Sequence, residues 1–321
     1  MGDKVRQNYY ESDFSLALRS LFRYKIRDFK ENRVFFRKPF LSMLKTAVFA
    51  PPWSLTRCDG LVLKISNRDD LFRERFKFLH SESYQGNEVI KKGQNGDMIS
   101  FPISDNGDIY RAFVNEEYSW LPVLNRIVVD IGASIGDSPL YFAIRGSKHV
   151  YAYEPFPVAF ERAQTNIRNN NLEQKITLFN NGIGSRNKLL LDPNFVPTNS
   201  SNVFKHTSEK GVVVEIIKLK DILQTVESSD LVLKMDCEGC EYTAILDEEC
   251  DVLRKFTHIQ MEYHNGYINI KEKLESCGFM VSYDKPIRMK SRDTKGYIYY
   301  GYLRAERQDK FDRNKEITHN G

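Results

Sequence analysis

The second half of the chain alternates unbroken apolar runs with amphipathic segments. Runs such as Ile127-Val128-Val129 and Leu231-Val232-Leu233 are typical of parallel strands buried on both faces. Predicted strands cover residues 126–131, 149–153, 175–180, 230–235, 256–262, 278–283 and 297–303, and predicted helices cover 136–145, 156–170, 238–247 and 269–276. This alternation predicts a doubly wound α/β domain with a mostly parallel sheet. The last two strands follow each other without a helix, which predicts an antiparallel hairpin at one edge.

The first part of the chain has a different pattern. Apolar residues between 14 and 29 recur at helical spacing, which predicts an amphipathic helix with a basic opposite face. Short strands (61–65 and 98–103), a helix (69–80) and a turn at Asn106-Gly107 predict a small α+β lead-in. We therefore expect an N-terminal extension (1–115), a main domain (116–305) and a polar tail (306–321).

The spacing of turn residues adds two features to the main domain. Residues 188–191 and 212–219 predict a further hairpin, and the segment 193–211 between them is rich in Asn, Ser, Thr and Gly. Such a loop is either a lid or ligand-binding element, or a flexible insertion without a role in binding.

Composition and charge fit an intracellular globular protein. The chain has 321 residues, 41% of them hydrophobic and 28% charged, and it is long enough to bury a core without metal or disulfides. Lys45 and Pro51-Pro52 interrupt the most apolar stretch, 39–53, so no membrane span is predicted. No cationic segment followed by an apolar run begins the chain, which predicts a cytoplasmic location. The five cysteines are accordingly expected to be reduced.

The net charge of +4 is unevenly distributed. Residues 1–50 contain eleven Lys and Arg against five Asp and Glu, so the rest of the chain carries a net charge of −2. The basic segment 12–38 either packs on the main domain with a solvated face or contacts anionic lipid or an acidic partner. The modest total charge and the lack of a recognisable nucleic-acid module make nucleic acid an unexpected partner.

A glycine-containing turn follows the first predicted strand of the main domain. Glycines let the backbone approach a ligand closely, and ligands bind at the carboxyl ends of parallel strands. Asp130 ends the strand, and we expect its carboxylate to point into the crevice. The candidate cofactor-binding residues of this turn are Asp130, Gly132, Ala133, Ser134, Gly136, Asp137 and Ser138.

Glu154 ends the second strand, eighteen residues after Gly136. A carboxylate at that position can accept hydrogen bonds from both hydroxyls of a ribose, so the two motifs together predict an adenosine site. Pro155 and Gly182 are further candidate contacts, and Asp236 is expected at the same edge of the sheet.

The turn also discriminates between adenosine cofactors. Dinucleotide folds require Gly-x-Gly-x-x-Gly so that a pyrophosphate can sit on bare backbone. Here the motif is Asp-x-Gly-x-x-x-Gly, and Asp130 would repel a pyrophosphate. S-adenosylmethionine has an ammonium, a sulfonium and no phosphate, so it tolerates the acid. A purely structural turn remains the alternative, but Glu154 argues against it.

A second acidic motif follows the strand at 230–235. Asp236 is the candidate for the crevice, whereas Glu238 and Glu241 either take part in the site or stabilise a helix start. Cys237 and Cys240 form a Cys-x-x-Cys, but no second pair has matching spacing, so zinc or redox chemistry is not expected.

The next strand carries polar residues at every second position. Strand alternation places His258, Gln260, Glu262 and His264 on one side. Glu262 and His264 approach the carboxyl end of the strand and are candidate site residues. A histidine at such a position is either a base or a polar group satisfied by its neighbours.

These motifs resemble the FkbM family of S-adenosylmethionine-dependent methyltransferases over about half of the chain, from residue 115 to 279. Four blocks carry the resemblance: Val129-Asp130-Ile131-Gly132-Ala133-Ser134-Ile135-Gly136-Asp137-Ser138, Tyr153-Glu154-Pro155, Leu233-Lys234-Met235-Asp236-Cys237-Glu238-Gly239-Cys240-Glu241 and Glu262-Tyr263-His264. In the third block family members usually read Lys-Ile-Asp-Val-Glu-Gly-x-Glu, from which this chain differs at Met235 and Cys237.

The resemblance implies a seven-stranded class I methyltransferase sheet and methyl transfer from S-adenosylmethionine, which leaves S-adenosylhomocysteine. The family's acceptor is commonly a hydroxyl of a sugar or a small natural product, so a small molecule or glycan is the expected partner. The alternatives are an RNA- or N-directed methyltransferase and a non-catalytic scaffold that binds the cofactor. The sequence assigns neither the acceptor nor the oligomeric state.

Methyl transfer to a hydroxyl requires alignment of the reactants and a group that takes the proton. His264 is favoured narrowly as the base by its ordinary pKa, and Asp236 is the rival by position. Glu262 shares the site, and Lys234 is a candidate for orienting substrate. A divalent ion held by Asp236 and Glu238 is an alternative that we do not expect.

Overall fold

The computed structural model describes residues 29–80, 89–92, 98–102, 109–185, 188–195, 210–226, 230–264, 266–290 and 297–308. Residues 29–35 are helical, but most of the predicted amphipathic helix, the Asn106-Gly107 turn and most of the 193–211 loop lie outside these ranges. Within the described ranges, no helix is both long and apolar enough to cross a bilayer.

The N-terminal part consists of short elements, as its mixed pattern predicts. A π-helix at Tyr110–Val114 connects these elements to the main domain. In chain order they are α1 (Pro39–Val48), β1 (Trp53–Thr56), β2 (Val62–Ile65), α2 (Arg68–His80), β3 (Val89–Lys92) and β4 (Met98–Phe101).

The main domain follows the predicted alternation of strands and helices. Its elements are β5 (Ile127–Ile131), α3 (Asp137–Ile144), β6 (His149–Tyr153), α4 (Pro157–Asn169), β7 (Ile176–Phe179), β8 (Asn181–Ile183), β9 (Lys188–Leu191), β10 (Val212–Ile217), α5 (Leu219–Thr225), β11 (Leu231–Met235), α6 (Glu241–Leu246), α7 (Cys250–Leu253), β12 (Phe256–Tyr263), α8 (Ile268–Ser276), β13 (Phe279–Tyr283), β14 (Ile287–Lys290) and β15 (Tyr297–Arg307). The hairpin predicted between β9 and β10 is confirmed by their antiparallel pairing.

The central sheet has the order β13-β15-β12-β11-β5-β6-β7, with β14 paired to β15. The pairs from β12 to β7 are parallel, and β15 runs antiparallel to both β12 and β13. This confirms the doubly wound sheet with an antiparallel edge. The chain leaves β5 in one direction to β6 and later returns on its other side with β11. The carboxyl ends of β5 and β11 therefore flank the switch point at which such folds bind ligands.

Apolar residues cover both faces of this sheet. Val129 and Leu233 belong to one buried cluster, whereas their neighbours Val128 and Val232 belong to another. The second cluster also contains Phe76, Phe101 and Tyr110 of the N-terminal part. The hydrophobic core is therefore continuous across residue 115, where the sequence predicts the boundary between the N-terminal extension and the main domain. It also packs the π-helix against the sheet.

The prediction of reduced cysteines is wrong for four of the five. Cys237 is bonded to Cys240, and Cys250 is bonded to Cys277, while Cys58 is free and exposed. The fold brings the start of α7 and the residue after α8 together, with a Cα–Cα distance of 5.0 Å between Cys250 and Cys277. Sequence spacing alone does not show this proximity, because 27 residues separate the two cysteines.

Candidate active site

The glycine turn after β5 packs closely against the backbone that follows β11. Gly132 and Gly136 have φ values of 83° and 89°. A Cβ atom on Gly132 would lie 1.8 Å from the carbonyl oxygen of Asp236, so no larger residue fits without displacing that backbone. The N–H of Asp236 in turn donates to the carbonyl of Ile131 at 2.9 Å. The two predicted motifs are thus in direct contact.

The turn uses its own N–H groups inside the protein. The amides of Gly132 and Ala133 both donate to the carbonyl of Tyr153, at 2.9 and 3.0 Å. The amide of Ser134 donates to the Glu154 carboxylate at 2.9 Å, and that of Gly136 donates to Ala133 at 2.8 Å. A pyrophosphate needs free backbone donors, and these four are engaged. The turn therefore fits a cofactor without phosphate better than a dinucleotide.

Glu154 lies between the turn and the start of α4. Its side chain also accepts the N–H of Phe156 at 2.9 Å, and burial raises its pKa to about 7 in spite of the two N–H donors. Each carboxylate oxygen retains a second lone pair for a ligand hydroxyl. Asn180, which the sequence analysis did not single out, donates to the carbonyls of Glu154 and Pro155 at 2.9 and 3.1 Å.

Gly182 supports the same loop from β8. A Cβ atom there would lie 3.5 Å from Cβ of Pro155 and 2.5 Å from a methyl group of Ile216. The predicted cofactor residues Glu154, Pro155 and Gly182 are therefore neighbours in space. The close approach to Ile216 gives Gly182 a packing reason for its lack of a side chain.

Asp130 does not face the crevice, contrary to the expectation from its position at the strand end. Its carboxylate is fully buried, 2.9 Å from Nζ of Lys234, and it accepts a 2.7 Å hydrogen bond from Ser138. Parallel pairing of β5 with β11 places Asp130 directly opposite Lys234, which explains the ion pair. Burial raises the pKa of Asp130, although Lys234 opposes the shift.

Lys234 is buried as well. Its ammonium also donates to the carbonyl of Gly132 at 2.7 Å, and its side chain is only 2% exposed. Burial disfavours the charge, but Asp130 and the neighbouring acids outweigh it and raise the lysine pKa. Lys234 thus stabilises the glycine turn, and it is not in a position to orient substrate.

The adjacent Asp137 and Ser138 are buried as well, and burial raises the pKa of Asp137 to about 7.

Asp236 and Glu262, at the carboxyl ends of β11 and β12, both contact the guanidinium of Arg111. Nη2 of Arg111 lies 3.1 Å from Oδ2 of Asp236 and also contacts Oε2 of Glu262. The same guanidinium donates through Nε to Glu117 at 2.9 Å and through Nη2 to the hydroxyl of Tyr302 at 3.0 Å. Arg111 therefore connects two predicted site residues with two that sequence reasoning missed.

Arg111 belongs to the π-helix, a type of turn that is frequent at functional sites. Neither Arg111 nor Tyr302 lies in one of the predicted motifs, so the local sequence contains no signal for them. Gln260 supports the arrangement, because its amide donates to the carbonyl of Glu117 at 2.7 Å. The predicted alternation of β12 is confirmed, with Ile259, Met261 and Tyr263 on the opposite side in the core.

His264 lies among carboxylates. Its Nε2 is 3.3 Å from Glu238, 3.5 Å from Glu262 and 3.9 Å from Asp236, and its Nδ1 is 3.3 Å from Glu241. Burial by itself would lower the pKa of His264, but Glu238, Glu241 and Glu262 outweigh it and raise the pKa well above its usual value. The imidazole is therefore protonated at neutral pH when these carboxylates are its only neighbours.

The two central carboxylates have opposite electrostatic surroundings. Burial, followed by repulsion from Glu262, raises the pKa of Asp236 to about 7. Burial also opposes ionisation of Glu262, but Arg111 and His264 outweigh it and lower the pKa to about 2. At neutral pH Glu262 is therefore ionised, whereas Asp236 titrates near that pH.

Glu241 has a structural role at the start of α6. Its fully buried carboxylate accepts the N–H groups of Cys237 and Gly239 at 3.0 and 2.8 Å. Glu238 and Gly239 have positive φ values of 57° and 124°, which is why the helix begins at Glu241 and not at the predicted 238. Glu238 itself reaches His264 and is partly exposed.

The strand order, with an antiparallel strand inserted at one edge of a parallel sheet, is that of the class I methyltransferase fold. Residues 130–281 match the model of the methyltransferase FkbM domain. S-adenosylmethionine is the cofactor expected for the family. No curated protein matches the chain significantly.

Solved structures with a similar fold are distant in sequence. Precorrin-6y C5,15-methyltransferase from Geobacter metallireducens is 13% identical, with 60% of this chain and 87% of that one covered and a TM-score of 0.36. TrmK from M. capricolum, bound to S-adenosyl-homocysteine, is 12% identical over 61% and 68% of the chains, with a TM-score of 0.33. An rRNA methylase from Streptococcus thermophilus is 14% identical over 58% and 90%, with a TM-score of 0.34. Their substrates carry no argument for this chain.

Proposed function

We propose that the protein transfers the methyl group of S-adenosylmethionine to a hydroxyl of a sugar, glycan or small natural product. The observation that carries this proposal is the contact between the glycine turn at Gly132 and the backbone of Asp236, whose side chain belongs to the Arg111–Glu262 cluster. A cofactor on the turn would lie beside carboxylates that can hold a hydroxyl.

In this proposal the turn and Glu154 hold the cofactor. Gly132 and Ser134 are its partly exposed residues, and Glu154 accepts hydrogen bonds from the ribose hydroxyls through its remaining lone pairs. The turn is held in position from its buried side by Asp130, Asp137, Ser138 and Lys234. When bound, S-adenosylmethionine supplies an activated methyl group whose departing thioether is neutral.

Asp236 is the residue that we propose to receive the hydroxyl proton. A base works best with a pKa near the operating pH, and the pKa of Asp236 is raised to about 7. His264 is a poorer acceptor than its ordinary pKa implies, because the surrounding carboxylates keep it protonated. Arg111 holds Asp236 beside Glu262, so substrate alignment and proton transfer occur at one place.

The first test is calorimetric binding of S-adenosylmethionine and S-adenosylhomocysteine, with NAD for comparison. We expect micromolar binding of the first two ligands and none of NAD, and we expect the Glu154→Ala variant to lose this binding. Preference for NAD would contradict the proposed cofactor site.

The second test follows a labelled methyl group from S-adenosylmethionine to sugars, glycans and hydroxylated natural products. We expect an O-methyl product that the Asp236→Ala variant does not form although it binds the cofactor. Label transferred to RNA or to a nitrogen atom would replace the proposed acceptor. Cofactor binding without transfer to any acceptor would instead support a non-catalytic scaffold.

A further inference from the structure

Three side chains at the carboxyl ends of β11 and β12 converge on one position. Asp236, Glu262 and His264 each offer a ligand atom, and these atoms lie within 4.8 Å of one another. Nε2 of His264 is 3.5 Å from Oε1 of Glu262 and 3.9 Å from Oδ1 of Asp236. Ligand atoms at about 2.1 Å from a shared ion are about 3.0–3.4 Å apart in octahedral or tetrahedral geometry. The two His264 distances exceed this spacing by about 0.1–0.9 Å, and the three side chains have to move inward to complete a coordination triad.

Arg111 contacts one oxygen of each of the two carboxylates. It binds Oδ2 of Asp236 and Oε2 of Glu262, while the remaining oxygens, Oδ1 and Oε1, are the ones nearest to His264. An arginine on one oxygen fixes each carboxylate in orientation, as hydrogen-bond partners of metal ligands commonly do.

His264 supplies an observation that does not depend on the acids. Its side chain is 5% exposed, and within the described residues neither ring nitrogen makes a hydrogen bond of acceptable geometry. A buried imidazole normally has such a partner. Nε2 instead lies 3.3–3.9 Å from oxygens of Glu238, Glu262 and Asp236 without the geometry of a hydrogen bond, which leaves this nitrogen available to an ion.

We propose that Asp236, Glu262 and His264 bind a divalent transition-metal ion of the Mn²⁺ or Zn²⁺ class. An imidazole nitrogen with two carboxylates suits these ions better than Ca²⁺ or Mg²⁺, which prefer oxygen ligands throughout. Three protein ligands also leave coordination positions for a water molecule or a hydroxyl.

The role of the ion rests on the proposed function, although its binding does not. An acceptor hydroxyl that coordinates the ion becomes more acidic and loses its proton to water at the partly exposed edge near Glu238. Its oxygen then forms the new bond to the methyl carbon, and the electron pair of the broken C–S bond stays on sulfur. In this form of the site Asp236 is a ligand, and the charge of the ion replaces it as the cause of deprotonation.

Binding is tested on the full chain with Mn²⁺ as the probe, in the absence of cofactor and acceptor. Electron paramagnetic resonance should show one bound Mn²⁺ per chain, with nitrogen coupling from one imidazole. The His264→Gln variant should bind at least tenfold more weakly and lose the nitrogen coupling. His258→Gln is the matched control, because His258 lies on the same side of β12 but contacts Thr257 and Trp120, outside the cluster.

Each result decides the proposal. No bound Mn²⁺ in the native chain, bound Mn²⁺ without nitrogen coupling, or coupling that survives in His264→Gln would overturn it. If His264→Gln does not fold, coupling in the native chain and in His258→Gln still supports the site. Mn²⁺ binding without methyl transfer would overturn only the proposed function, whereas full methyl transfer in a chelator by a chain that binds no Mn²⁺ would overturn only the metal site.

Discussion

Nζ of Lys234 lies 2.9 Å from Oδ1 of Asp130, and neither side chain is more than 2% exposed. The pair fastens β11 to β5 directly beneath the glycine turn, because Lys234 also holds the carbonyl of Gly132. Lys234, a candidate for orienting substrate by sequence, thus stabilises the glycine turn of the proposed cofactor site.

Removal of Lys234 should lower the stability of the protein. Lys234→Met leaves the Asp130 carboxylate buried without its cation, and we expect the free energy of unfolding to fall by about 3–5 kcal/mol. Urea denaturation measures the change. Lys271→Met is the matched control: it breaks an exposed pair with Glu275 on α8 and should cost about 0.5 kcal/mol or less. Equal losses in the two variants would contradict the assigned role.

The contact between Gly132 and Asp236 predicts an effect of a single methyl group. In Gly132→Ala the Cβ atom would meet the carbonyl of Asp236 at 1.8 Å, so the turn or the start of the acidic motif has to shift. We expect this variant to lose cofactor binding in calorimetry and to be destabilised.

Gly60→Ala provides the comparison, since Gly60 has a φ of 95° and a Cβ atom there would have nothing within 4 Å. It should cost about 1–2 kcal/mol from backbone strain alone. Gly132→Ala should exceed that loss by about 1–3 kcal/mol, the usual range for overpacking. A Gly132→Ala protein as stable as Gly60→Ala would show that the turn is not wedged.

Cofactor affinity should depend on pH through Glu154. Burial raises the pKa of this carboxyl to about 7, and the ionised form is the better acceptor for ribose hydroxyls. Below pH 7 the ligand has to displace a proton, so affinity should rise with pH and level off above about 7. Calorimetry of S-adenosylhomocysteine at pH 6 and pH 8, in buffers of different ionisation enthalpy, measures both the affinity and the protons released.

Glu154→Gln keeps the shape of the side chain and removes its titration. Its affinity should be weaker at pH 8 and nearly independent of pH. A variant with the same pH dependence as the native chain would assign the effect to another group, such as Asp137, whose pKa is also raised to about 7.

The Cys250–Cys277 bond should contribute to stability. It closes a separation of 27 residues, which corresponds to about 3–4 kcal/mol in the chain-entropy description. Cys250→Ser should lower the free energy of unfolding by this order without reductant, whereas Cys58→Ser, at the exposed free thiol, should not change it. Mass spectrometry after alkylation of the denatured protein should find one free thiol. Five free thiols would contradict both bonds and favour the reduced state expected of a cytoplasmic protein.

Local sequence determined the alternation of the central strands with helices and the position of the glycine turn. Unbroken apolar runs identify β5 and β11 because a strand covered on both faces needs apolar side chains in both directions. The turn at Gly132 is visible because only glycine tolerates such a backbone approach, and the acids after β6 and β11 stand out because they end buried strands.

Tertiary structure alone decided which polar groups meet. Arg111 contacts Asp236 across 125 residues, and Tyr302 donates to Glu117 across 185, so no local spacing encodes these bonds. The same holds for Asp130, whose position at a strand end predicts exposure to the crevice until the pairing of β5 with β11 sets Lys234 opposite it. Periodicity and turn chemistry act between near neighbours in the chain, whereas ion pairs, disulfides and the pKa of a buried carboxyl depend on which elements pack together.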